Sequence, residues 1–179
     1  MMDKQPLRLR DQKEFEFESY NGEMLWMLTE AEKFCCEYER RETPRWLALL
    51  GNSGVGKTML AKYCAEHLGI PFRKWSWIVD LMRKRDYGVK DWIIGERAIV
   101  IDDIGAGYET SFAQSLLDEL ADRRLGKWTI LTSNYSLQQI GDEISHRVRS
   151  RMIRGGNKVV EALNSKCWHT MKSEAIQND

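Results

Sequence analysis

The sequence predicts an α/β fold, a three-layer α/β/α arrangement around a parallel sheet of about five strands. Three observations carry this. Short apolar runs alternate along the chain with stretches of helical periodicity. A glycine-rich loop, GNSGVGKT from Gly51 to Thr58, lies between one such run and one such helix. A later run, Ala98-Ile99-Val100-Ile101, ends in two adjacent carboxylates, Asp102-Asp103.

Taken in order, the residues up to Tyr20 alternate charge with aromatics (Glu14-Phe15-Glu16-Phe17-Glu18) and read as an extended lead-in. Met24, Met27/Leu28, Ala31, Phe34/Cys35 and Tyr38 then mark one face of a helix. That helix ends by Thr43-Pro44, since the residue before a proline is held out of helical geometry. Residues 45–50 form a buried strand, and 57–68 a helix whose Leu60, Tyr63/Cys64 and His67/Leu68 recur at helical spacing. Gly69-Ile70-Pro71 breaks the chain before a strand near 72–77 and a helix over about 79–87. After the strand ending at Asp102-Asp103, a helix over about 110–125 aligns Phe112, Leu116, Leu120 and Arg123/Arg124 on one side. Trp128 to Thr132 is a strand that ends in Ser133-Asn134, followed by a helix near 142–152 and a short strand near 157–161. Ligands on such sheets bind at the carboxyl ends of strands, where the loop, the aspartates and Asn134 all fall.

A chain of 179 residues with 42% hydrophobic and 30% charged residues is ordinary for a single soluble domain and unlike a disordered segment. No apolar run approaches the roughly 20 residues that span a bilayer, and no signal peptide precedes the charged N-terminus, so a cytoplasmic protein is expected. Cys35, Cys36, Cys64 and Cys167 contain no C-x-x-C pair and read as free thiols. The formal net charge is zero, but residues 73–97 carry seven basic against four acidic groups, and 121–158 eight against three. Electrostatic fields act locally, so such asymmetry matters despite the balance.

GNSGVGKT matches the phosphate-loop pattern G-x-x-x-x-G-K-[ST] throughout. Glycines at Gly51, Gly54 and Gly56 let the backbone N–H groups of Asn52, Ser53, Val55 and their neighbours curl around phosphate oxygens at a helix N-terminus. Lys57 then reaches the β- and γ-phosphates of ATP, and the Thr58 hydroxyl ligates Mg²⁺. Asp102 holds the same ion, and Asp103 orients the water that attacks the γ-phosphate. A second acid separates hydrolases from kinases, which keep water out. Aspartate is one methylene shorter than the glutamate common there, so slow turnover is expected. Asn134, ending the next strand, helps to place the water. Arg147-Val148-Arg149-Ser150-Arg151 is either a finger into a neighbouring subunit's site or a solvated basic helix face.

In sequence order GNSGVGKT, VIDDIG, LADRRL, TILTSN and RVRSRM resemble the AAA+ ATPases of the DnaC/IstB group, bacterial and phage helicase loaders and transposition helpers. The resemblance covers roughly residues 45–160 and implies an AAA+ core over 45–179 preceded by a lead-in and helix over 1–44. It makes Lys57 and Thr58 the nucleotide and Mg²⁺ contacts, Asp102 and Asp103 the Walker B acids and Asn134 sensor 1. Arg151 becomes the finger acting in trans, with Arg147 as the fallback. It further implies self-association into a ring or spiral, single-stranded DNA inside it, and a replicative DNA helicase as partner. The segment Trp75 to Arg85 combines stacking faces with cations suited to a single strand, Trp77, Arg83, Lys84 and Arg85 being the candidate contacts. The other reading buries Trp75 and Trp77 against the sheet. Helicase loaders of this group usually carry a distinct helicase-binding domain before the core, where about 44 residues stand here; no C-terminal helical lid is expected. The alternatives are a transposition helper of the same group, a small-molecule kinase of the phosphate-loop class and a nucleotide-gated binding module.

Overall fold

The computed structural model describes residues 22–106 and 110–165. The lead-in through Tyr20 and Cys167 lie outside the described residues. Five strands form one parallel sheet in the order β2-β3-β4-β1-β5: β1 (Trp46–Gly51), β2 (Phe72–Lys74), β3 (Ala98–Asp102), β4 (Trp128–Ser133) and β5 (Lys158–Ala162). Every residue of β1, β3 and β4 is buried, as a sheet covered on both faces requires.

Alternation along the strands divides the core in two. Leu47, Leu49, Ala98, Val100 and Ile130 face α1 (Gly22–Glu39) and α2 (Lys57–Leu68). Trp46, Ala48, Leu50, Ile99, Ile101 and Leu131 face α3 (Trp75–Arg83), α4 (Gly88–Gly95), α5 (Ser111–Arg123) and α7 (His146–Met152). The three layers are those the sequence predicts. On the first face Trp128 takes Phe34 and Tyr38 edge-on at 5.1 and 5.6 Å between ring centroids. This locks α1 onto β4 with aromatic contacts worth about 0.5–1.5 kcal/mol each beyond simple burial. No helix among the described residues is long and apolar enough to cross a membrane.

Four local expectations are corrected. The strand near 72–77 is only three residues long, because α3 begins at Trp75. Trp75, Ile78, Val79 and Met82 are its buried residues, a helical i, i+3, i+4, i+7 set that outweighs the Trp-Ser-Trp alternation. Helix α3 therefore ends at Arg83 rather than near 87, and α4, unforeseen between two glycines, buries Val89 and Ile93 one turn apart. The helix near 142–152 is divided. A short α6 (Leu137–Gln139), capped reciprocally by Ser136 and Gln139, runs into a π-turn over Ile140–Ile144. At Ser145 the backbone is extended, and its hydroxyl caps α7 by accepting from the N–H groups of Arg147 and Val148. Finally, Phe112 is exposed while Leu116 and Leu120 are buried, so the side predicted for α5 is rotated away from its first residue.

Arg124, just past α5, is 1% exposed. Its guanidinium donates to the carbonyls of Ile93 (2.6 Å), Trp128 (2.7 Å) and Glu96 (3.1 Å) and to the Thr129 hydroxyl (3.0 Å). Burial pulls it down to about 10, against the opposing charge of Glu96. It ties the end of α4 to the start of β4, and Trp46 Nε1 donates back to its carbonyl at 3.1 Å. Replacing it by leucine strands several buried acceptors. Arg124→Leu is expected to cost about 3–5 kcal/mol, read as a melting temperature about 10 °C lower.

Candidate functional site

The site is built at the carboxyl ends of β1, β3 and β4. Gly51 closes β1 with φ +133°, and a Cβ there would lie 2.2 Å from the Ala162 carbonyl oxygen, so the edge of β5 admits only glycine. Asn52 pins the loop to the same strand end, through its N–H to the Ala162 carbonyl at 3.1 Å and its Nδ2 to the Leu163 carbonyl at 2.6 Å. Gly56 enters α2 with φ 91° and, having no side chain, gives the first N–H groups of the helix no cap. Such a terminus attracts anions.

Lys57 is nearly buried, and its Nζ donates to the carbonyls of Gly51 (2.8 Å) and Asn52 (2.7 Å) and to Asn134 Oδ1 (3.0 Å). Burial lowers it to about 8, with the charges of Asp103 and Asp102 working the other way. Asn134 uses the other end of its amide to donate to Asp103 Oδ1 at 3.3 Å. One side chain thus connects the lysine of the loop to the second aspartate. Asp102 is 1% exposed, and its Oδ1 accepts from the hydroxyls of Thr58 (2.9 Å) and Thr132 (2.7 Å).

Asp103 has φ 62°, in the left-handed region. Among residues with a side chain, aspartate and asparagine enter that region most readily. Burial and the neighbouring Asp102 charge raise its carboxyl above the ordinary value, against Lys57 and Lys74. It lines a cleft of about 310 Å³ together with Gly105, Asn134, Tyr135 and Gln139.

Thr132 was not anticipated. Its hydroxyl donates to Asp102 and accepts the Asp103 N–H at 2.8 Å, so it positions both acids. The signal was a threonine two residues before Asn134; the Ile101↔Leu131 register brings it beside Asp102.

The remaining candidates stand elsewhere. Arg151 and Arg147 lie on α7 and pair with Asp122 of the same chain, with Nε–carboxylate distances of 2.8 and 3.8 Å. The two tryptophans divide between the two readings: Trp75 is buried, and Trp77 is 41% exposed. The Arg73 guanidinium lies over the rings of both Trp77 (5.1 Å) and Trp92 (4.9 Å), a pair of cation–π contacts the sequence did not suggest. Arg83, Lys84 and Arg85 are exposed at the end of α3.

A glycine loop between the first strand and its helix, beside an acid-tipped neighbouring strand, defines a phosphate-loop nucleoside triphosphatase. The family model described as ATPase family associated with various cellular activities (AAA) matches residues 47–155, more than half of the chain, and the chain belongs to that family. It is an ATPase with the AAA nucleotide-binding core. No curated protein matches it by sequence.

Among solved structures, the DnaC helicase loader shares 21% identity over 84% of this chain and 99% of its own, with a TM-score of 0.69. DnaI shares 22% over 86% and 89%, with a TM-score of 0.67. The replication initiator DnaA bound to AMPPCP and single-stranded DNA shares 18% over 83% and 50%, with a TM-score of 0.62. At these identities what is shared is the fold, and it is the fold implied by the resemblance to the DnaC/IstB group.

Proposed function

We propose that this ATPase is a DNA-replication accessory of helicase-loader type, which binds ATP between subunits, engages single-stranded DNA and remodels a replicative helicase in the cytoplasm. The observation that carries the hydrolytic half is the chain Lys57–Asn134–Asp103 alongside Thr58–Asp102. Residues Gly51 to Thr58 cradle the triphosphate, with the Lys57 ammonium on its outer phosphates. Asp103, its basicity raised by burial, takes the proton of the attacking water, while Asn134 holds that carboxylate and the water in line. The Thr58 hydroxyl and Asp102 carboxylate are paired oxygen donors, a set that fits Mg²⁺, which takes one or two protein ligands and completes its shell with phosphate and water. The ion supplies charge neutralisation at the phosphates. Arg151 completes a neighbour's site in trans, making the assembly a ring or spiral.

The DNA reading rests on α3. Trp77 stays exposed with the Arg73 guanidinium over its ring, and Arg83, Lys84 and Arg85 follow on the surface. An exposed aromatic followed by cations suits stacking of a base with phosphates tracking alongside. Fluorescence anisotropy with labelled oligothymidylate tests this. Trp77→Ala is expected to weaken binding by about tenfold, since a stacked base is worth ~1–3 kcal/mol. Lys84→Ala/Arg85→Ala is expected to weaken it similarly and to flatten the salt dependence by about one to two units of slope. Wild-type affinity in both variants overturns the assignment. A helicase-unwinding assay with the cognate replicative helicase, with and without ATP, tests the partner.

A further inference from the structure

We infer that Asp122 is the positioning residue of the trans-acting finger, gripping Arg151 so that its phosphate-binding end is left free. The inference rests on the shared-site reading above and adds to it the residue that prepares the finger.

Asp122 lies in the last turn of α5 and belongs to no nucleotide contact of its own chain. Its two carboxylate oxygens are divided between two arginines of α7, Oδ1 to Arg151 Nε at 2.8 Å and Oδ2 to Arg147 Nε at 3.8 Å. The choice of nitrogen matters. A guanidinium has five N–H donors, and one held by Nε keeps four on its two terminal nitrogens, the edge that binds phosphate oxygens in pairs. The terminal nitrogens of Arg151 make no hydrogen bond to any described residue.

The support behind Arg151 is rigid. Its carbonyl accepts from Asn157 Nδ2 at 2.7 Å, and Val148 and Met152 on the same helix are buried. One turn before Asp122, Asp118 accepts from the Ser145 hydroxyl that caps α7. Two carboxylates of α5 therefore fasten the start and the end of the finger helix. Arg151 side-chain exposure is 23% against 57% for Arg147, so it is the better immobilised of the pair. A long side chain held before the neighbour arrives loses less freedom on binding it. Asp122 thus gives the aspartate of the D-R-R-L motif a task, as Arg124 gives one to its second arginine.

The test is subunit mixing, read as steady-state ATP turnover. Asp122→Ala alone is expected to lower turnover about tenfold or more, a part of the 10³–10⁵ that such fingers supply. Its affinity for a fluorescent ATP analogue should stay within about twofold, since its own phosphate loop is intact. Asp122→Asn, isosteric and safe for the fold, falls in the same direction by a smaller factor. Mixing Asp122→Ala with Asp103→Asn, which keeps a native finger beside a disabled site, should raise turnover several-fold above the sum of the two alone. Unchanged or increased turnover in Asp122→Ala overturns the inference. So does a mixture that stays at the sum while Arg151→Ala mixed with Asp103→Asn rises, which places the defect of Asp122→Ala in its own site. If the Arg151→Ala mixture also stays at the sum, the shared-site reading fails and the inference falls with it.

Discussion

Lys57→Ala is expected to weaken ATP binding by about 100-fold or more and to reduce turnover to background. The ammonium is held at the loop by three acceptors, two carbonyls and the Asn134 amide, and in the proposed mechanism it is the group that meets the outer phosphates. A hydrogen bond to a charged group is worth ~1.5–3 kcal/mol, and two such bonds to phosphate account for a factor of that size. Because burial already lowers Lys57 to about 8, the charged form is disfavoured before nucleotide arrives. A phosphate restores it, so binding takes up a proton wherever the free amine is neutral. Affinity should therefore be level below about pH 7 and fall toward tenfold per pH unit above about 8. Titration calorimetry between those limits measures both effects. The Lys57→Ala protein should lose the pH dependence together with the affinity, and a slope that survives the substitution assigns it to another group.

Asp103→Asn is expected to separate binding from hydrolysis. Asparagine keeps the shape, tolerates the left-handed backbone at φ 62°, and can still hydrogen-bond Asn134. It cannot accept a proton from water. Turnover should fall by about 10²–10⁴-fold, the range supplied by a positioned general base. Nucleotide affinity should hold or tighten, because a negative charge beside the γ-phosphate has been removed. Single-turnover hydrolysis against equilibrium binding of a labelled ATP analogue distinguishes the two quantities. Equal losses in both would instead make Asp103 a binding residue. At φ 62° a short polar side chain that can hydrogen-bond locally is easier to hold than a longer one, which favours aspartate over glutamate at position 103.

The motifs legible in the chain were those in which neighbours in sequence are neighbours in space. GNSGVGKT is one continuous loop, so its glycine spacing reports directly on a backbone that needs positive φ at Gly51, Gly54 and Gly56. The sheet was legible for a related reason. Parallel strands covered on both faces must be continuously apolar, as Trp46 to Leu50 and Ala98 to Ile101 are. Around α3 the structure departs from the sequence pattern because a three-residue edge strand and an amphipathic helix share an aromatic boundary. Trp-Ser-Trp alternates like a strand until the later residues, Ile78, Val79 and Met82, restore the helical period.

The place of the glycine loop, the two aspartates at a strand end and the five-stranded core were therefore determined by the sequence alone, since local spacing and hydrophobic period specify them. The tertiary structure decided what those groups are joined to. It set Asn134 between Lys57 and Asp103, placed Thr132 under both acids, divided Trp75 from Trp77, and gave Arg151 to Asp122 rather than to its own loop. These partners are separated by tens of residues, and only strand register and helix packing bring their side chains within hydrogen-bonding distance.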